Sequence, residues 1–328
     1  MVVDSVPAQI GLLAATVAGL WIGARLLVDS VVRLARRVGL SELTIGLTIV
    51  AAGTSTPELV VTADAALAGL GDIAVGNIVG SNIYNLAFIL GVVSLVRVIP
   101  IERSLIHRDG VVLVASTVVG AVVMVDLTVS RVEGVLLALL FVAYTGYLLR
   151  TGVGDGGTDS PGGDDPPGVP TALTEHVSFR GRDALLLVAG LAIVLVSGDV
   201  MVSTASSLAR GVGISDSIIG GTIVAAGTST PEFAVSLVAM GQGRLGVSVG
   251  NVVGSNVFNV LGILGVGALI QPLSVAPVAL ESVAWLLVIT GVMVAALWTG
   301  RQLSRPEGAL FAASEAGRWV LGLLGLVG

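Results

Sequence analysis

Long apolar runs recur along this chain, separated by short stretches that collect the charges, glycines and prolines. Ten runs read as helical spans, at about 8–31, 43–69, 73–96, 109–127, 132–150, 183–209, 216–241, 246–271, 279–299 and 307–327. A helix crosses a bilayer with roughly 20 apolar residues. The last run is the least regular, because Glu315 and Arg318 interrupt it. Met1 to Pro7 carries Asp4 and no basic residue, so the first run reads as a retained span rather than a signal peptide. Between the fifth and sixth runs lies DGGTDSPGGDDPPG, the centre of an acidic Gly/Pro-rich segment over 151–180. Such composition makes a solvated linker, and it lacks the ligand spacing of a Ca²⁺-binding loop.

The chain repeats itself. Residues 44–93 align without a gap to 218–267 at an offset of 174, with 28 identities in 50 positions. The same offset maps Leu34-Ala35-Arg36 onto Leu208-Ala209-Arg210, and the SR-x-EG at Ser130 onto the one at Ser304. The expected organisation is a first five-helix repeat over 1–150, a cytoplasmic linker over 151–180 and a second five-helix repeat over 181–328. Five spans is an odd number, so the second repeat enters the membrane from the opposite side. Inverted repeats place a transport site near the midplane, between the halves. Twelve of the 16 arginines follow odd-numbered spans, and only Arg131 and Arg210 lie on the other side. By the positive-inside rule the twelve are cytoplasmic, and both termini face outward.

Composition agrees with the pattern. The chain is 54% hydrophobic and 12% charged, against about 25% charged in soluble domains, and its mean hydropathy is +1.00. The expected fold class is an all-α polytopic membrane protein of the cell membrane, with the lipid bilayer as its surroundings. Absence of Cys excludes disulfides, thiol nucleophiles and Cys-ligated metals. Only His107 and His176 are present, both in expected loops, which argues against a His relay in the membrane. All 16 basic residues are Arg, the net charge is −6, and nothing points to nucleic acid. No resident cofactor, no enzymatic activity and a monomeric state are expected.

The chemistry lies in the duplicated block. Gly53-Thr54-Ser55-Thr56-Pro57-Glu58 recurs as Gly227-Thr228-Ser229-Thr230-Pro231-Glu232. Proline lacks an N–H and displaces the carbonyl four residues back, so each block breaks its helix and frees carbonyl oxygens in mid-membrane. Each break is followed by a glutamate, and an intramembrane carboxylate is a functional-site hypothesis by default. Thr54 and Glu58 are four apart and share a face, as do Thr228 and Glu232. The next span of each half carries Gly76-Asn77, Gly80-Ser81-Asn82 and Asn85, repeated as Gly250-Asn251, Gly254-Ser255-Asn256 and Asn259. Inversion brings these four oxygen-bearing faces together. The set suits hard cations: Ca²⁺ takes 6–8 oxygens, and two glutamates match one Ca²⁺ or two monovalent ions. Soft transition metals fit poorly without His or Cys.

These paired motifs resemble the alpha repeats of the sodium/calcium exchangers, in the cation/calcium exchanger superfamily, over nearly the whole chain. The resemblance implies Ca²⁺ and Na⁺ as transported substrates. It implies Glu58 and Glu232 as the central carboxylates, Thr54 and Thr228 as carbonyl donors, Ser55, Ser81, Ser229 and Ser255 as hydroxyl ligands largely for Na⁺, and Asn85 and Asn259 as the completion of the centre. Some prokaryotic relatives have Asp where this chain has Asn259, so one carboxylate is lost here. Thr56 and Thr230 stand where an apolar residue is common.

The expected activity is therefore exchange of Ca²⁺ for Na⁺ by alternating access, extruding Ca²⁺. The alternatives are coupling to H⁺ or K⁺, a cation channel, and, remotely, an intramembrane hydrolase. Among other membrane charges, Asp64 reads as a hydrated structural residue or part of an outer vestibule. Arg25 with Asp29, and Glu315 with Arg318, read as ion pairs, and Asp199 has no assigned partner. Asn77 and Asn251 read as helix cross-links rather than ligands.

Overall fold

The computed structural model describes residues 5–100, 105–152, 181–213, 223, 225–300 and 302–323. The 151–180 linker therefore lies outside the described residues, apart from its first two. The helices are α1 (Val6–Val38), α2 (Glu42–Thr54), α3 (Thr56–Leu67), α4 (Gly71–Val96), α5 (Val111–Val123), α6 (Arg131–Thr151), α7 (Gly181–Gly211), α8 (Ala225–Thr228), α9 (Thr230–Gly241), α10 (Leu245–Ile270), α11 (Ala279–Gly300) and α12 (Arg305–Leu323). Among the described residues six, namely α1, α4, α6, α7, α10 and α11, are long and apolar enough to cross a membrane. A seventh is the pair α2 and α3, bent by 47° between Thr54 and Thr56.

Boundaries differ from the sequence reading where charges sit on helix ends. α1 continues past residue 31 to Val38, with Arg36 and Arg37 in its last turn. Cations there complement the helix dipole, and Gly39, at φ 71°, ends the helix in the left-handed conformation that glycine tolerates. A wide π-helical turn over Leu105–Gly110 leads into α5. His107 is thus on a helix rather than in a loop, with its ring 4.6 Å from that of Trp298 on α11. The expected span 216–241 is described at residue 223 and from Ala225 onward. The last run forms α12, where Glu315 pairs with Arg318 at 2.8 Å as expected. The Arg25–Asp29 pair is not formed: the Arg25 guanidinium lies 4.7 Å from the Trp21 ring centroid instead. One turn back along α1, the indole face offers that exposed cation a partner without a second charge.

Packing sorts the helices. α4 and α10 are buried over 78% of their apolar windows, against 28% for α1 and 17% for α7, so the first two form the centre and the last two the periphery. Small residues let α2 lie directly on α10: a Cβ added at Gly250 would stand 2.6 Å from the Leu43 carbonyl oxygen. α1 and α7, which are repeat mates, pack antiparallel. Arg33 near the end of α1 pairs with Asp183 at the start of α7 at 2.7 Å. At the other end, Gln9 donates to the Ser207 hydroxyl at 3.1 Å. Between these ties a Cβ on Gly23 would come within 2.9 Å of the Gly190 carbonyl. The pair covers its own apolar cluster, which includes Leu27, Val31, Val194, Val235 and Ala239, apart from the main core.

Among the described residues, four two-residue strands tie the loops. β1 (Ile99–Pro100) pairs antiparallel with β4 (Gln302–Leu303), and β2 (Thr128–Val129) with β3 (Leu273–Ser274). β3 touches Gly71 at the start of α4, whereas β1 follows the end of α4, so the two small sheets lie at opposite ends of that helix.

Candidate cation site

The first break is built by four consecutive residues. α2 ends at Thr54, Ser55 turns the chain at φ −79° and ψ 15°, and Pro57 falls in the first turn of α3. There the missing N–H costs little. The carbonyl that loses its partner is that of Gly53, and the Thr56 hydroxyl donates to it at 2.7 Å. The expectation of bare carbonyls at the break is thereby corrected at Gly53. The second break repeats the turn at Ser229, φ −88° and ψ 9°, with Pro231 opening α9. Here the Thr230 hydroxyl donates to the Ala226 carbonyl at 3.4 Å.

The two breaks face one another through reciprocal bonds. The Ser55 hydroxyl donates to Glu232 Oε1 at 2.8 Å, and the Ser229 hydroxyl to Glu58 Oε1 at 3.0 Å. Ser55, Glu58, Ser229 and Glu232 are fully buried. The flanking helices close in with hydroxyls: Ser255 of α10 lies 3.5 Å from Glu232 Oε1, and Ser81 of α4 lies 3.5 Å from the Thr228 hydroxyl. Thr54 and Glu58 stand on either side of the bend, and both are buried. The Thr54 hydroxyl donates to Asn251 Oδ1 at 3.0 Å and to the Val50 carbonyl at 3.1 Å.

Asparagines hold the geometry. Asn77 donates to the Glu58 carbonyl at 3.2 Å and to the Thr62 hydroxyl at 3.1 Å. Asn251 makes the same two bonds in the second half, to the Glu232 carbonyl at 3.3 Å and to Ser236 at 3.0 Å. Both cross-link a broken helix to its neighbour, as the sequence suggested. Asn85 and Asn259 lie in wide π-helical turns, Tyr84–Ile89 and Phe258–Ile263, which the apolar pattern gave no means to foresee. Asn82 was also missed as a contributor. It donates to the Asn256 backbone carbonyl at 3.2 Å and accepts from Asn259 at 3.0 Å. The available signal was a buried amide repeated in both GSN triplets.

All ten candidate ligands, Thr54, Ser55, Glu58, Ser81, Asn85, Thr228, Ser229, Glu232, Ser255 and Asn259, are buried, on the two breaks and on the flanking helices α4 and α10. Buried polar atoms almost always find partners. Yet Glu58 Oε2, Glu232 Oε2, Asn259 Oδ1 and both polar atoms of the Asn85 amide have no hydrogen-bond partner among the described residues. Orphaned oxygens beside two carboxylates fit a hard cation. Asp64 and Asp199 lie elsewhere, exposed on α3 and α7. Among the described residues no group of three or more His, Cys, Asp or Glu could hold a metal ion, so any cation here relies on amide, hydroxyl and carbonyl oxygens besides the two glutamates.

Fold and site together define a polytopic helical membrane protein with a buried, oxygen-lined centre between two broken helices. The model of the sodium/calcium exchanger protein family matches residues 8–150 and 183–314. The chain belongs to the sodium/calcium exchanger family and is a membrane antiporter of cations and Ca²⁺. It is 31% identical over 320 residues to sodium/calcium exchanger MaX1 of Methanosarcina acetivorans, covering 88% of this chain and 91% of that one. It is 34% identical over 254 residues to inner membrane protein YrbG of Escherichia coli, covering 75% of each. Its fold matches a solved structure of the sodium-calcium exchanger NCX_Mj, soaked with Na⁺ and Ca²⁺, with a TM-score of 0.81 at 29% identity, covering 99% of both chains.

Proposed function

We propose that this antiporter exchanges Ca²⁺ for Na⁺ at one site formed by Thr54, Ser55, Glu58, Ser81, Asn85, Thr228, Ser229, Glu232, Ser255 and Asn259, and that it extrudes Ca²⁺. The observation that carries the reading is the reciprocal bonding of Ser55 to Glu232 and Ser229 to Glu58, with the second oxygen of each carboxylate unpartnered. Two glutamates balance one Ca²⁺ or two Na⁺, so the two ion sets exclude one another. An unfilled site with two bare charges resists closure in low dielectric. That exclusion couples the fluxes.

The architecture proposed is ten spans in two inverted halves, 1–150 and 181–328, joined by a cytoplasmic linker. Antiparallel packing of the mates α1 and α7 supports it, as does the position of the mate strands β1 and β3 at opposite ends of α4. The peripheral α1–α7 pair, tied at both ends and seated on its own apolar cluster, is suited to shift as one body over the centre. The membrane is the cell membrane, with both termini outside.

In proteoliposomes, an imposed Na⁺ gradient drives labelled Ca²⁺ uptake against its own gradient. Uptake indifferent to Na⁺ but responsive to a pH or K⁺ gradient would move the coupling ion to H⁺ or K⁺, a reading that Asn at both 85 and 259 keeps in play. Single-channel currents would argue for a pore.

A further inference from the structure

We infer that Asn82 is a positioning residue that locks the Asn259 amide with its oxygen, not its nitrogen, offered to the cation. The polarity of one chain of amides sets this orientation. The chain starts at the Asn256 backbone carbonyl, which can only accept. Asn82 lies 3.2 Å away and must therefore present its NH₂ group there. That leaves Asn82 Oδ1 for Asn259, so Asn259 must present its NH₂ to Asn82, at 3.0 Å. The remaining atom of the Asn259 amide is then Oδ1, which is buried and without a partner among the described residues. An amide's two ends are told apart only by such a network. Here one acceptor-only group fixes the whole chain, and flipping either side chain would set oxygen against oxygen or nitrogen against nitrogen.

The mate amides are wired differently. Asn256, the counterpart of Asn82, turns its NH₂ back onto the Val252 carbonyl of its own helix at 2.7 Å and leaves its Oδ1 without a partner among the described residues. Asn85, the counterpart of Asn259, therefore has no such lock, and neither of its polar atoms has a partner there. The site thus holds one amide oxygen fixed as a ligand and one amide free to turn. With Asn rather than a carboxylate at 259, the fixed orientation is what supplies an acceptor there. Asn259 lies one turn beyond Ser255, whose hydroxyl reaches Glu232, so its oxygen belongs to the same centre.

The inference rests on the cation-site reading, and a double-mutant cycle on the full chain tests the two separately. Ca²⁺ half-saturation is measured in proteoliposomes for Asn82→Ala, Asn259→Ala, the double variant and Glu58→Gln. The expectation for Asn82→Ala is a rise of about tenfold, the order of one lost hydrogen-bonded ligand, with maximal rate little changed. The double variant then rises no further than Asn259→Ala alone, because Asn82 acts only through Asn259. Wild-type half-saturation in Asn82→Ala, or effects that multiply in the double variant, would overturn the positioning role. Wild-type half-saturation in Glu58→Gln would overturn the site reading itself. If Asn82→Ala does not reach the membrane folded, Asn82→Ser, which keeps a polar group at the position, carries the same cycle with the same two outcomes.

Discussion

At the residue scale the two glutamates dominate. Each is fully buried, and each has one oxygen held by a serine across the centre and one left over. Removing one partner of a buried charge arrangement costs about 3–5 kcal/mol, which is at least about a hundredfold in affinity. Glu58→Gln and Glu232→Gln are each expected to raise Ca²⁺ half-saturation by at least that factor, read by labelled uptake over a wide Ca²⁺ range. The two variants should be nearly equal, because the reciprocal serine bonds treat the carboxylates alike. A tenfold difference between them would show that one carboxylate carries the divalent ion. Glu58 and Glu232 were legible in the sequence because an ionisable group in a long apolar run is too costly to bury without a use. Asn82 was not, since its meaning lies in a bond to Asn259 across 177 positions of sequence.

At the element scale the breaks and the α1–α7 contact matter most. Proline at 57 and 231 announced the breaks, but the fate of the freed carbonyl depended on a neighbour. Thr56 covers the Gly53 carbonyl, and Thr56→Val leaves that acceptor without a partner at a cost of about 1–3 kcal/mol. The expected result is a lower thermal midpoint of the purified protein, restored by Thr56→Ser, which keeps the hydroxyl. The α1–α7 contact is tighter than its sequence suggests. A Cβ at Gly190 would lie 2.7 Å from the Leu27 amide nitrogen. Gly190→Leu forces the helices apart, at about 1–3 kcal/mol of overpacking. It is expected to slow maximal exchange while leaving Ca²⁺ half-saturation within about twofold. A large change in half-saturation with unchanged rate would place Gly190 in ion binding and overturn the proposed shift of the α1–α7 pair. Helix ends were less legible than helix centres, because Arg36 and Arg37 of α1 look like loop residues until the dipole and Gly39 account for them.

At the scale of the whole molecule, the proposed inversion is what would let one sequence block serve both faces of a membrane. The repeat itself was plain at an offset of 174, and five runs per half implied inversion by parity alone. Parity is fragile, because one miscounted run reverses the conclusion. The antiparallel packing of α1 on α7 does not depend on that count. It predicts that repeat mates at the ends of these helices open on opposite faces. Val38, at the end of α1, and its mate Val212, just beyond α7, are 43% and 78% exposed, so both accept a probe. The chain has no cysteine, which leaves any introduced thiol unique. Val38→Cys and Val212→Cys are therefore expected to react with a membrane-impermeant maleimide from opposite sides of sealed vesicles. The arginines at the end of α1, Arg33, Arg36 and Arg37, lead to the expectation that Val38 labels from the cytoplasmic side and Val212 from outside. Labelling of both from one side would show halves related by an axis along the membrane normal. The two broken helices would then enter from the same face, and reciprocal access to Glu58 and Glu232 from the two sides would lose its structural basis.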